Sequence, residues 1–157
     1  MAGSVERVRE HLLALKLNVD FREFDTSTKN SALAAKALGC MVAEIAKSVV
    51  FRAEGAVVVV ISGDKRVDTR RLSELIGVGA SVATPEEVRT LTGYPIGGVP
   101  PFPHVEGVRI FCDVSLRRFE HVWAAGGAPN VVFRISSREL EEKVGGAAVD
   151  VAERQRS

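Results

Sequence analysis

At 157 residues, with 46% hydrophobic and 26% charged side chains, the chain has the size of one domain and a composition that excludes disorder and low complexity. A net charge of +1 excludes a broad basic face, so any contact with nucleic acid must come from a local arrangement of Lys and Arg. The two cysteines, Cys40 and Cys112, sit among apolar neighbours without CxxC spacing, which predicts an intracellular chain with free thiols and no zinc site. The longest apolar runs, such as residues 56–61, fall far short of the roughly 20 residues of a membrane helix. Glu6, Arg7 and Glu10 stand where a signal peptide would carry its apolar stretch. Together these features predict a single cytoplasmic domain with no membrane partner.

In chain order, Ser4 is a candidate cap for a helix with Val5, Val8, Leu12 and Leu15 at helical spacing, ending near Asn18. Residues 19–24 read as a strand. Asn30 or Ser31 opens an alanine-rich helix that stops at Gly39, and a single turn is expected over 42–46. Residues 47–53 and 56–62 are β-branched runs around Glu54-Gly55, the pattern of a hairpin with a tight turn. Asp68 caps a helix over 69–76, residues 80–83 form a short strand, and Thr84 with Glu87 makes a capping box for a helix to Thr92. Residues 93–107 then break all periodicity with Gly93, Gly97, Gly98 and four prolines, and such a loop is expected to be exposed and functional. Strands are expected over 108–114, 120–124 and 131–135. A second capping box at Ser136 and Glu139 leads a last helix to Gly145-Gly146, and 149–152 is a candidate final strand before a frayed tail at 153–157. Interleaved helices and hairpins predict a mixed α/β sheet with helices packed around it.

The chain has no GxSxG, HExxH, GxxxxGK[ST] or strand-linked GxGxxG motif, which sets aside the hydrolase, metalloprotease, P-loop and dinucleotide layouts. His11 and His121 read as solvated or capping imidazoles, and His104 stands out for its place in the loop. Lys47 enters an apolar strand where its ammonium is hard to solvate, so it needs an anion or a cleft, unless it snorkels or pairs with a carboxylate. The loop glycines are either plain turn formers or exposed amides that approach a ligand oxygen. Spacing alone leaves both choices open.

Several stretches resemble the YbaK/ProX family, the free-standing relatives of the editing domain of bacterial prolyl-tRNA synthetase. They are SALAAKALG at 31–39, EIAKSVVF at 44–51, VVVVISGD at 57–64, VDTRRL at 67–72, TGYPIGGVPPF at 92–102, IFCD at 110–113 and AGG at 125–127. The resemblance spans roughly residues 4–152. It implies a barrel-like mixed sheet surrounded by helices, and a deacylase that cuts the ester between an amino acid and the 3′ CCA end of mischarged tRNA, Ala- or Cys-tRNA(Pro)-like. No metal or cofactor is implied, and prolyl-tRNA synthetase is a second partner that it allows. It also implies that Lys47, Gly97 and Gly98 are the catalytic residues, with Ser48, Val99, Pro100, Ala125 and Gly126 binding substrate. No protein nucleophile is implied; a ribose hydroxyl of the substrate helps to place the attacking water. Such an enzyme is needed because a methylene is worth only about 1–3 kcal/mol in a synthetase pocket. The chain departs from the family at Ala125, where Ser is usual, near Val132, where an aspartate is usual, and at Pro103-His104-Val105. These departures leave the amino acid open. A non-catalytic module that binds a tRNA end or a synthetase is the alternative.

Overall fold

A computed structural model describes residues 3–25, 28 and 30–154. Helices α1 (Ser4–Ala14), α2 (Ser31–Leu38), α3 (Thr69–Ile76), α4 (Pro85–Thr92) and α5 (Ser137–Val144) surround strands β1 (Asp20–Glu23), β2 (Ile45–Arg52), β3 (Ala56–Ser62), β4 (Ser81–Val82), β5 (Arg109–Cys112), β6 (His121–Ala125) and β7 (Val131–Ser136). Two 3-10 turns, Val42–Glu44 and Val114–Arg118, complete the elements. The strands form one mixed sheet in the order β1-β7-β6-β2-β3-β5, with β4 beside β2 off that path. Two parallel pairs (β2 with β6, β3 with β5) sit among antiparallel ones, which makes the sheet mixed.

The local signals explain most boundaries. Asn30 accepts from the Leu33 N–H and Gly39 closes α2 in the left-handed region, while Asp68 accepts from the Arg70 and Arg71 N–H groups at the start of α3. Thr84 and Glu87 form the reciprocal capping box of α4. At α5 the second box is incomplete. Ser136 accepts from the Glu139 N–H, but the Glu139 carboxylate accepts from the Ser136 hydroxyl rather than from its backbone N–H. The cap of α1 is Gly3, one residue before Ser4, with no side-chain bond.

The sheet buries two faces, which is why β3 is apolar up to its last residue, Ser62, and essentially inaccessible from Val57 to Ile61. One face packs Val58 and Val60 with Val8 and Leu12 of α1, Val88 of α4 and Leu140 of α5. The other packs Phe51, Val59 and Ile61 on Leu72 of α3, and Ile45, Trp123 and Val132 on Ala34 and Ala35 of α2. At roughly 1.5–3 kcal/mol per buried aliphatic side chain, these layers dominate stability.

Three expectations change. Residues 149–152 do not form a strand; Val149 and Ala152 make isolated bridges to Asp113 and Val67, because each lies against a turn rather than a continuous edge. Glu153 is tied by its N–H to the Arg66 carbonyl at 2.8 Å, and residues 155–157 of the expected tail lie outside the described residues. The loop over 93–107 is irregular but not exposed along its length. Gly98 to Phe102 are buried, Tyr94 donates its hydroxyl to the Pro103 carbonyl at 2.8 Å, and Val99 and Phe102 join the α1 core.

Candidate functional site

The site is a gap in the sheet. β6 pairs with β2 only at Ile45 and Ala46, and β4 pairs with it only at Phe51 and Arg52. Lys47, Ser48 and Val49 therefore have β3 on one side and, among the described residues, no strand on the other. Strand alternation fixes what that edge offers. The Val50 carbonyl points away from β3, since it accepts from the Ala83 N–H at 3.0 Å, and Ser48, two residues earlier, points its own N–H and C=O the same way. Pairing with β6 stops before it could use them.

This notch opens into a cavity of about 560 Å³. Side chains alternate across β2, so Lys47 lies on the α2–α3 face and Ser48 on the α1–α4 face, and the gap is where the two faces communicate. Gly97 and Val99 reach the cavity from the Ser48 side; Ile45, Trp123, Ala125 and Val132 line it from the Lys47 side. The Ser48 hydroxyl is buried and has no hydrogen-bond partner among the described residues. An unsatisfied buried hydroxyl costs about 1–3 kcal/mol, so a polar ligand or water in the notch would relieve it.

Lys47 is half-buried, and its ammonium makes no ion pair among the described residues. Burial pushes its pKa below the ordinary lysine value; the nearby Arg66 adds to that and Asp64 partly opposes it. Of the alternatives open in the sequence, pairing to a carboxylate is therefore absent among the described residues. Asp64 is itself held at about 2, first by the hydrogen bonds from Arg118.

The loop glycines divide. Pro95, Ile96, Gly97 and Gly98 form a turn in which the Gly98 N–H donates to the Pro95 carbonyl at 2.9 Å, so the Gly98 amide is already used. A Cβ on Gly98 would fall 2.8–2.9 Å from three backbone atoms of Ala128. Gly97 takes the left-handed position of that turn, at φ 82°, and its N–H has no acceptor among the described residues. Pro100 is buried behind Val99, and its carbonyl holds the His104 ring at 2.8 Å.

His104 braces the loop from behind, edge-on to Tyr94, away from the notch. His11 lies against Phe102. Of the paired glycines after Ala125, Gly126 does not line the cavity: its Cβ would meet Val131 and Phe21, and that of Gly127 would meet the Ser4 carbonyl at 2.7 Å. The pair seats β1 and α1.

Among the described residues no three His, Cys, Asp or Glu side chains gather to hold a metal, and no helix is long and apolar enough to cross a membrane. Sequence reasoning missed Gly63, whose Cβ would collide with the Val42 carbonyl beside the cavity, and the adjoining Asp64 and Arg118. The Ser62-Gly63-Asp64 turn after an apolar strand was the available signal for the first two; the pairing with Arg118, 54 residues away, was not.

With this geometry in view, the chain belongs to the aminoacyl-tRNA editing domain family, whose profile matches residues 25–143. It is 36% identical over 141 residues to the uncharacterized protein YwhH of Bacillus subtilis (strain 168), covering 88% of this chain and 90% of that one. It is 29% identical over 128 residues to the multifunctional Ser/Thr-tRNA deacylase ProXp-y of Escherichia coli (strain K12), covering 76% and 77%. Among solved structures it superposes on a candidate trans-editing enzyme for prolyl tRNA synthetase with a TM-score of 0.87 and 37% identity, covering 98% of this chain and 99% of the other.

Proposed function

We infer that the chain is a trans-acting editing hydrolase that cuts the ester between a small amino acid and the 3′-terminal adenosine of a mischarged tRNA. The observation that supports this most is Lys47: a half-buried ammonium without an ion pair among the described residues, beside a strand edge with unused amides. A cation so placed gains most from an anion, which the phosphate of the CCA end supplies, as does the ester carbonyl oxygen once attack gives it charge. The single-stranded CCA end fits a narrow cleft without a broad basic face, in keeping with the net charge of +1.

In this reading the ester lies along the open edge of β2. Water adds to the carbonyl carbon, the bond from acyl carbon to ribose oxygen breaks, and the water proton passes to that oxygen. The Ser48 and Gly97 N–H groups face the oxygen that gains charge, with Lys47 stabilising the same end of the substrate. A ribose hydroxyl orients the water, so no protein nucleophile is required. Val99, backed by Pro100, shapes the wall against the ribose. Gly98 supports that wall and Gly126 seats β1, neither of them touching substrate.

The acyl group meets Trp123, Ala125 and Val132, whose side chains are apolar except for the single indole N–H donor of Trp123. Small apolar acyl groups are therefore favoured. A pocket of that kind rejects an added hydroxyl by no more than about 10². Alanyl- and cysteinyl-tRNA(Pro) are expected to be cleaved fastest, with seryl-tRNA within about 10² of them. Side-by-side release of amino acid from a panel of aminoacyl-tRNAs tests this. The reading fails if no ester is cut faster by the wild type than by Lys47→Ala. A tight complex with uncleaved ester that is indifferent to Lys47→Ala would instead establish the end-binding module.

A further inference from the structure

We propose that Arg118 and Asp64 are positioning residues for Lys47, forming a clamp that holds a carboxylate near its ammonium while keeping the two from pairing. The proposal rests on the reading of Lys47 as the cation that meets substrate.

The clamp is built from three segments distant in sequence. Arg118 grips Asp64 with both terminal nitrogens, at 2.7 and 3.1 Å, donates to the Ser62 hydroxyl at 2.8 Å, and donates through Nε to the Ser115 carbonyl at 2.8 Å. Ser62 is fully buried at the end of β3; its N–H donates to the Ser115 hydroxyl and its own hydroxyl donates to the Ala43 carbonyl. Ala43 belongs to the 3-10 turn that leads into β2, and the Gly63 N–H donates to the Ile45 carbonyl at 2.7 Å. One guanidinium thus locks the turn on which Asp64 stands to the start of the strand that carries Lys47.

The fork geometry matters for charge as well as shape. A bidentate guanidinium satisfies both carboxylate oxygens and fixes their direction. Asp64 therefore acts on Lys47 through space, favouring its charged form, without contacting it. Among the described residues, the charged groups that act on Lys47 are Asp64, which favours the ammonium, and Arg66, which opposes it. Both stand on the turn after β3. The arrangement keeps Lys47 charged yet available to an anion in the notch. An ordinary ion pair would do the first and prevent the second.

Changing each partner should move Lys47 in opposite directions. Asp64→Asn removes the favourable charge, so the ammonium titrates at lower pH than in the wild type. Arg118→Ala releases the Asp64 carboxylate to pair with Lys47 and removes a cation, so it titrates at higher pH. The readout is the pH titration of the Lys47 signal in the full chain after ¹³C-methylation of its lysines, assigned by its loss in Lys47→Arg. This needs no deacylase activity, so failure of the clamp and failure of the editing reading are separable. Arg118→Lys, which keeps the charge but not the fork, should shift the midpoint in the same direction as Arg118→Ala and by less, and guards against loss of fold in the alanine variant. With aminoacyl-tRNA as substrate, Arg118→Ala should raise KM roughly 2- to 5-fold with kcat nearly unchanged, the scale of a solvent-accessible ion pair. Opposite titration shifts support the clamp. An unmoved midpoint in folded Asp64→Asn, or shifts of the same sign in both variants, overturns it.

Discussion

Gly98→Val is expected to unfold the loop's anchor rather than merely silence it. The new Cβ would stand 2.8–2.9 Å from the Cα, C and N of Ala128, all backbone atoms that no rotamer change can move. Overpacking of this kind costs about 1–3 kcal/mol or more. At about 3 kcal/mol, the melting temperature of a domain of this size falls roughly 6–12 °C. Ala128 follows the glycine pair that seats α1, so the strain has nowhere to dissipate. Gly97→Ala is the comparison: Gly97 lines the cavity, and its left-handed φ of 82° costs an alanine about 1 kcal/mol. Thermal unfolding of the two variants separates them, and equal melting temperatures would contradict the packing seen at Gly98.

The second large effect is a split between activity and stability at Lys47. Lys47→Met is expected to lower deacylation by about 10²–10³, the usual loss when one preorganised charge-stabilising group is removed, while leaving the unfolding midpoint unchanged or higher. Burial, and then Arg66, hold the folded-state pKa of Lys47 below its ordinary value of 10.5. The unfolded chain therefore binds this proton more tightly than the folded chain. Below the folded-state pKa the penalty is present in full, and stability rises as pH climbs from there toward 10.5. Lys47→Met should lack that rise in a urea titration across alkaline pH. A variant that melts well below the wild type would make Lys47 a structural residue.

The elements legible in the sequence are those written in local chemistry. Asn30, Asp68 and Thr84 cap the helices they were expected to cap, and Glu54-Gly55 turns the hairpin that carries Lys47. What was not legible depends on meetings between distant segments. Residues 93–107 look exposed because glycine and proline dominate them, yet Val99 and Phe102 find a core supplied by α1. Gly98 and Gly126 look like ligand-facing amides, but their neighbours Ala128 and Val131 come close enough to explain the missing side chains. The notch was invisible because no pattern within β2 tells that β6 and β4 stop short of each other. It also accounts for how Lys47 and the loop, on opposite faces of one strand, come to share a cavity. Ser48 proves better placed than Gly98 to present a free amide there.

The most direct measurement is backbone amide NMR with a non-hydrolysable mimic, alanyl-adenosine joined through an amide in place of the ester. Binding in the notch should shift the amide signals of Ser48, Val49, Gly97 and Ala125 together, and Lys47→Ala should weaken the binding. Shifts confined to other surfaces, or none at millimolar ligand, would contradict an aminoacyl-ester site at the open edge of β2.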